Sequence, residues 1–514
     1  MNRSFFPIMI AAALFLSLFR LGAPKLFDVD EAVFSEATRE MVISRNWITP
    51  TYNGANRYDK PILFYWLMAA SYKAFGVNEF GARFPSAVAA VLLGSSLFFF
   101  VKYFSGEQAA RYASLPAVFS IYYLVYSRAA VTDMTLTLFI ALSLFCFYRS
   151  SSEVSQDKTM HLYGFYLFSA LAFLTKGLIG IVFPFGIALV FMAVTRGPGG
   201  MKRVFSFRGI LLFAAVAAPW YLAEVAINGR EFIDQFFIKH HFRRYTDVIS
   251  GHRGPLYYYI PVIIVGFFPW ISFLPAGIRS AWKGKNALHL FGLVWFAFVF
   301  LFFSFSTTKL PNYILPALPA ASMLMGEGMS GEDPRWRRYS FLAMGILSLL
   351  MGGAFLIGRK YLAALAPADG GWTLAIAAVS LAGGAVSLYS AFSKRDLYVP
   401  VAGLMTVLLA ILLTKALPLA SDYLQGTLHK YSIYAKERLV KDEGVIVFGI
   451  NNPSIAFYSE RKIISANNKE ELDSLARKGV HAVAISKAKD MELLRDSGYT
   501  LIESDGRYAL LETK

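Results

Sequence analysis

Charge is scarce in this chain. Only 16% of its 514 residues are charged, against roughly a quarter in a soluble domain, which leaves too little polar surface to cover a water-soluble protein of this length. Cysteine is nearly absent: Cys146 stands alone inside an apolar block, so an internal disulfide is excluded and the redox compartment is left open. Acidic residues are the rarer sign, 34 against 50 Lys and Arg, for a formal net charge of +16. Such a balance can signal nucleic acid, but the basic residues are strung between apolar spans and form no continuous patch, which argues against that partner. A glycine-rich phosphate loop is also missing, since Phe448-Gly-Ile-Asn-Asn-Pro453 lacks the required glycine spacing.

What the chain has in quantity is apolar sequence, 56% of all residues. Blocks at 5–21, 85–101, 209–227 and 397–419 are each long enough to cross about 30 Å of hydrocarbon. Windowing the remainder gives about 13 spans, with a division near 175–178 separating two of them. Arg3 before an apolar run resembles a signal peptide, yet the run continues to Leu21 with no small-residue cleavage site before Asp28, so it reads as a retained first span. Short segments rich in Lys and Arg, such as Lys202, Arg203 and Arg208, or Arg335, Arg337 and Arg338, are cytoplasmic by the positive-inside rule. The two longest loops, 22–84 and 228–255, and the C-terminal tail then lie on the opposite face, with the N-terminus inside. The expected organisation is a membrane domain over 1–420 and a tail domain over 421–514. The tail holds 14 basic and 14 acidic residues, so the whole charge excess belongs to the membrane part.

The tail changes character. Segments 444–449, 462–466 and 480–486 read as short buried strands, 468–478 and 488–497 have helical spacing, and 499–502 and 507–511 close the pattern. This predicts a small α/β domain outside the membrane, with packing or covering of a substrate as its role.

The first external loop is acidic beside a membrane: Asp28-Val-Asp30-Glu31, then Glu36, Arg39 and Glu40. From Glu31 the spacing is helical, with Val33, Ala37 and Met41 on one face and Glu36, Arg39 and Glu40 on another. Asp28 and Asp30 precede the first turn, where a carboxylate serves as a cap. A cap needs one acid and three are supplied within four residues, which points to chemistry for at least one. Further on, Arg57-Tyr58-Asp59-Lys60-Pro61 leads into an apolar helix. Proline favours a helix start, so Lys60 would project from an N-terminus that also favours an anion, an arrangement suited to a phosphate at the membrane surface; the alternative is an ordinary snorkelling lysine.

The second external loop carries His240, His241, Arg243, Arg244, His252 and Arg253, interleaved with Tyr and Phe. Zinc is one reading, but adjacent histidines point apart on a helix; an anionic lipid headgroup suits arginine with aromatics better. Lys309 and Tyr313 sit at another outer boundary. Asp133 opens the span after Arg128-Ala-Ala-Val-Thr. A carboxylate inside lipid costs about 2.5–3.5 kcal/mol, so it faces a site, pairs with Arg128 or caps the helix. Lys176 adds a cation near the outer face.

Taken together, Asp30-Glu31, Ser35-Glu36-Ala37, Arg39-Glu40-Met41, Trp47, Asn53-Gly54, Asp59-Lys60-Pro61, Thr175-Lys-Gly177, His241-x-x-Arg244-Tyr245, His252-Arg-Gly-Pro255 and Ser306-x-x-Lys309-Leu-Pro-x-Tyr313-x-Leu-Pro316 resemble the bacterial members of the dolichyl-phosphate-mannose protein mannosyltransferase family. The likeness is greatest to those that move 4-amino-4-deoxy-L-arabinose to lipid A, and it covers roughly residues 5 to 320.

The resemblance implies a mainly α GT-C membrane glycosyltransferase of the bacterial inner membrane, with a periplasmic α/β tail. It implies a polyprenyl-phosphate sugar donor, an envelope acceptor such as lipid A and inversion at C1. Asp30 then matches the catalytic aspartate, with Glu31 and Asp133 as further functional acids. Lys60, Arg244 and Tyr313 match donor-phosphate contacts, and Asp28, Arg57, Tyr58, Asp59, Arg253 and Lys309 are candidates for other substrate contacts. Asp59, where relatives commonly have Glu, and Ile62, where many have Pro, depart from the pattern and bear on the choice of sugar. Asp28-x-Asp30 mimics a metal-binding pair, but a lipid-phosphate donor lacks the diphosphate that usually requires metal, so neither metal nor cofactor is expected. Two other readings are a protein O-glycosyltransferase of the same family and a flippase for lipid-linked sugars. Transporters place their sites near the midplane between repeated halves, whereas here the unusual residues gather at one face.

Overall fold

A computed structural model describes residues 4–236, 254–284, 286–331, 333–365, 371–393, 395, 397–440, 443–477 and 482–513. Arg244 and Arg253, with His240, His241 and His252, lie outside the described residues. The chain divides into two compact units. One comprises 1–19, 58–64 and 84–416; the other comprises 20–57, 65–83 and 417–514.

The larger unit is helical. Among the described residues of the whole chain, eight helices are long and apolar enough to cross a membrane, or nine if the pair Leu256–Gly266 and Trp270–Lys283, bent by 114°, forms one span. The chain is thus a multi-pass, mainly α protein. The gap between this count and the expected 13 has visible causes. Phe5–Leu18 is apolar but short, Lys158–Lys176 is interrupted by polar residues, and the 40-residue helix Glu79–Val118 breaks its backbone at Gly106.

Close helix packing in the larger unit uses small residues. Pro334–Leu365 and Gly371–Phe392 meet where a Cβ on Gly345 would lie 3.3 Å from the Gly384 carbonyl, and the converse; larger side chains there would force the backbones apart. Aromatic rings fill the space elsewhere, as where Phe147 lies 5.5 Å from Phe165 and 6.3 Å from both Phe191 and Phe291, ring centroid to centroid.

Helices Asp133–Ser151 and Lys158–Lys176 are each 19 residues long and form a hairpin. Ser143 Oγ bridges them, donating to the Phe165 carbonyl at 2.8 Å and meeting Ser169 Oγ at 2.8 Å. Equal lengths in an antiparallel pair put the first residue of one helix beside the last residue of the other. The second helix stops at Gly177, whose φ of 73° a side chain would resist, and Ile179–Arg196 begins at once. This is the division expected near 175–178.

The smaller unit contains the expected α/β tail together with most of the segment 22–84. Numbering on from the two short strands β1 (Thr51–Tyr52) and β2 (Ala55–Asn56), strands β3 (Val445–Phe448), β4 (Ile463–Ala466) and β5 (Val483–Lys487) run parallel, and β6 (Tyr499–Ser504) and β7 (Tyr508–Thr513) complete the sheet antiparallel, in the order β4-β3-β5-β7-β6. Val445, Val447, Val483 and Ile485 pack to one side with Leu428, Tyr431 and Ala435 of helix Leu417–Arg438. Ile446 and Ala484 pack to the other with Leu472 and Leu494. Strand alternation therefore feeds both faces, as near-continuous apolar parallel strands require. A short helix, Ser454–Ser459, follows the segment that failed as a phosphate loop; its apolar run is too short to show helical periodicity.

The loop closes the open edge of that sheet. β4 is an edge strand, and the Asn53 side-chain amide accepts from Ile463 N–H at 2.7 Å and donates to the Ile463 carbonyl at 2.8 Å. Asn53 is held there because Glu40 accepts from Thr51 Oγ1, from Asn53 N–H (both 2.6 Å) and from Gly54 N–H (3.3 Å), fixing the small hairpin Thr51–Tyr52 and Ala55–Asn56.

Candidate active site

In the smaller unit the helix spans Asp30–Ser44, one residue earlier than the spacing predicts; Val33, Ala37 and Met41 are buried, and so is every residue from Glu31 to Thr38, Glu36 of the expected polar face included. Glu36 pairs with Arg39 at 2.6 Å on the other face; burial pushes the Glu36 carboxyl up in spite of Arg39. No side chain caps the helix, so the capping role open to Asp28 and Asp30 is not used.

The three acids have separate surroundings. Glu31 is buried, and Arg83 donates to its two oxygens at 2.7 and 2.9 Å. Phe27 N–H donates to Glu31 Oε2 at 2.9 Å. Arg83 also donates to the carbonyls of Leu21 (3.0 Å), Pro24 (2.6 Å) and Lys25 (2.9 Å), binding the turn before the helix into one piece. The candidate catalytic acid Glu31 is therefore occupied by a buried ion pair.

Asp28 is occupied from the tail. Ser454 N–H donates to its Oδ1 at 2.8 Å, while Ser454 Oγ (2.6 Å) and Asn452 Nδ2 (2.9 Å) donate to its Oδ2. With its amide turned to satisfy both groups, Gln425 donates to Asp28 Oδ2 at 3.0 Å and accepts from Asp28 N–H at 3.2 Å. Burial raises the Asp28 carboxyl above the usual range, opposed by the Ser454, Asn452 and Gln425 hydrogen bonds. The Asp28 oxygens face these donors, so Asp28-x-Asp30 is not arranged as a chelating pair.

Asp30 differs from both. It is exposed and has no hydrogen-bond or ion-pair partner among the described residues. It occupies the first position of its helix. Arg57, also in this unit, donates from Nε to Tyr65 Oη at 3.1 Å and lies 5.7 Å from the Phe34 ring.

In the larger unit, Asp133 opens its helix and pairs with Lys176 at 2.5 Å. The rival partner Arg128 instead donates to the carbonyls of Leu16 (3.1 Å) and Ser17 (3.2 Å). The hairpin explains the choice: it brings together residues 43 apart, a carboxylate at a helix N-terminus and an ammonium at a C-terminus, each where the dipole favours it. The Lys176 ammonium also lies 5.4 Å from the centroid of the Tyr313 ring. Asp133, Lys176 and Tyr313 thus form one cluster. The Asp133 hydrogen bond uses one of the three Lys176 ammonium hydrogens.

Lys60 donates to the Asp59 carbonyl at 3.0 Å, and the helix after Pro61 starts at Leu63 rather than at the proline. The Tyr58 ring packs edge-on against Phe232, 5.7 Å away. Lys309 is buried, and its ammonium donates to the carbonyls of Phe303 (3.3 Å), Ser304 and Ser306 (both 2.6 Å). Burial lowers its pKa. All three hydrogens go to carbonyls at the C-terminal end of helix Ala287–Phe305 and of its cap residue Ser306, so Lys309 caps that helix.

Sequence reasoning passed over Arg83, Asn452, Ser454 and Gln425. Each acts on a carboxylate at least 50 positions away, and no local pattern marks such a pairing.

A profile of the dolichyl-phosphate-mannose-protein mannosyltransferases matches residues 59–222. The chain is 30% identical over 381 residues to undecaprenyl phosphate-alpha-4-amino-4-deoxy-L-arabinose arabinosyl transferase 2 of Proteus mirabilis, covering 71% of this chain and 68% of that protein. It is 28% identical over 448 residues to the corresponding transferase of Aeromonas hydrophila, covering 84% and 80%. Its fold is similar to that of ArnT from Cupriavidus metallidurans bound to undecaprenyl phosphate, with a TM-score of 0.84 at 22% identity, covering 99% of this chain and 98% of that one.

Fold and sequence together define a class: a multi-pass membrane glycosyltransferase of GT-C architecture that uses a polyprenyl-phosphate sugar donor. Within it, the chain belongs to the family of the undecaprenyl phosphate-alpha-4-amino-4-deoxy-L-arabinose arabinosyl transferases.

Proposed function

We propose that this enzyme transfers 4-amino-4-deoxy-L-arabinose from undecaprenyl phosphate to lipid A at the periplasmic face of the bacterial inner membrane, with the tail domain on that face. The donor and sugar follow the names of its relatives. An acceptor oxygen attacks C1, the bond from C1 to the donor phosphate oxygen breaks, and undecaprenyl phosphate leaves with the bond's electrons.

Asp30 is the catalytic carboxylate in this reading. Of the three clustered acids it is the one left exposed and, among the described residues, without a partner, and that observation carries the assignment. A phosphate acceptor arrives ionised and needs no base, so Asp30 would orient the sugar and stabilise positive charge developing at C1. A hydroxyl acceptor would use Asp30 as general base. Charge grows on the donor phosphate as it departs, and Lys60, Arg244 and Tyr313, joined by Lys176, are assigned to stabilise it more in the transition state than in the ground state. Asp133 holds Lys176 in place for that task.

The test is release of undecaprenyl phosphate from undecaprenyl-phosphate aminoarabinose by purified enzyme with lipid A as acceptor and no transmembrane gradient. Asp30→Asn is expected to lower turnover about 100-fold or more. Wild-type turnover in that variant would overturn the assignment.

A further inference from the structure

The tail holds the loop that carries Asp30 by more than apolar packing. Ser454 and Asn452 deliver three donors to the single carboxylate of Asp28, and Gln425 closes the remaining side while accepting from the Asp28 backbone. Ser454 is almost fully buried, at 1% exposure. Neighbouring contacts point the same way: Leu26 N–H donates to Tyr458 Oη at 2.8 Å, Lys25 N–H donates to Ser421 Oγ at 2.8 Å, and the Lys25 ammonium pairs with Asp422.

Asp30 therefore lies between two anchored carboxylates. Two residues before it, Asp28 is fastened to the tail; one residue after it, Glu31 is fastened to Arg83. Burying Asp28 has a desolvation cost that simple packing would not require, and an apolar residue would have joined the loop to the tail without it. What a multiply bonded carboxylate adds is direction. Several donors of fixed geometry set where the chain runs immediately before Asp30, the kind of support that holds a reacting group within a fraction of an ångström.

We propose that Ser454 and Asn452 are positioning residues for the transfer reaction, acting through Asp28 on Asp30, so that the C-terminal domain is a working part of the catalytic machinery. The proposal rests on the assignment of Asp30 made above.

The experiment uses full-length enzyme in lipid nanodiscs with undecaprenyl-phosphate aminoarabinose and lipid A, measuring kcat and KM separately. Ser454→Ala combined with Asn452→Ala is expected to lower kcat by about 10- to 100-fold while KM for the donor stays within about two-fold. Ser454→Thr, which keeps the hydroxyl and the N–H, is expected to retain near wild-type kcat. Asp28→Asn added to the double variant is expected to cost little more, because all three substitutions break one linkage. Thr427→Val removes a hydrogen bond to Asp505 elsewhere in the same unit and is expected to leave kcat unchanged.

Wild-type kcat in the double variant, strictly additive losses with Asp28→Asn, or an equal loss in Thr427→Val would each overturn the proposal. The two readings fail differently. Full activity in Asp30→Asn overturns the catalytic assignment and the positioning role with it, whereas an inactive Asp30→Asn beside a fully active Ser454 and Asn452 variant overturns the positioning role alone.

Discussion

Three carboxylates within four residues look equivalent in the sequence, yet their surroundings give them different work. Asp28 and Glu31 are bonded on both oxygens, whereas Asp30 has no partner among the described residues. Stability and activity should accordingly separate. Asp30→Asn is expected to leave thermal unfolding within about 0.5 kcal/mol of wild type, as surface substitutions without partners do, while turnover falls. Arg83→Met, which leaves Glu31 buried and unpaired, is expected to destabilise by about 3–5 kcal/mol, and Glu31→Gln in the same chain to recover part of it, both read from denaturation midpoints. A pH effect belongs to Asp505 in the β6–β7 turn. Burial tends to raise its carboxyl, but hydrogen bonds from Thr427, Tyr508 and Arg507 outweigh that and hold it below the ordinary value. A depressed acid stabilises the fold above its unfolded pKa of about 3.9 and loses that contribution as pH falls through the folded value. Asp505→Asn is thus expected to flatten the loss of tail stability below about pH 4, measured by unfolding at a series of pH values.

Among the elements, a helical hairpin decides what meets what. Equal helices Asp133–Ser151 and Lys158–Lys176 set Asp133 against Lys176. The periodic apolar spans and the break near 175–178 were readable in the sequence; the pairing was not, because Arg128 is five residues from Asp133 and local spacing favours it. Only the hairpin's register rules it out. The side chains of this pair are 4% and 15% exposed, so removing one partner strands the other. Asp133→Ala is expected to cost about 3–5 kcal/mol, and Asp133→Asn with Lys176→Met distinctly less than the sum of the single changes, in a double-mutant cycle of thermal stability. The tail's strands and helices, Ser454–Ser459 excepted, were legible from alternation and spacing to within about three residues. Helix Ser454–Ser459 was not, since six residues give too short a period, and it is this helix that supplies Ser454.

Over the whole molecule, domain membership departs from chain order. The sequence reading places 22–84 with the membrane helices and starts a separate domain at 421. The contacts instead gather 20–57 and 65–83 with 417–514 in one compact unit. The joining groups are the Asn53 amide on the edge of β4, Tyr458 on Leu26, and Ser454 on Asp28. Hydrogen exchange offers a check. Amides of the loop around Asn53 and of β4 at Ile463 are expected to open together as one cooperative unit, and Asn53→Ala to raise exchange at Ile463.

The sequence by itself determined the solvent, the class of fold and the chemistry at stake. Spans of about 20 apolar residues admit no other solvent, and an ordered set of acids and cations between the spans points to a phosphate-linked donor. The tertiary structure decided which acid is left exposed and without a partner among the described residues, and what holds the acids on either side of it. A carboxylate's role depends on the donors that reach it, and the side chains that reach Asp28 and Glu31 come from positions 52 to 426 residues away, beyond the range of any local periodicity.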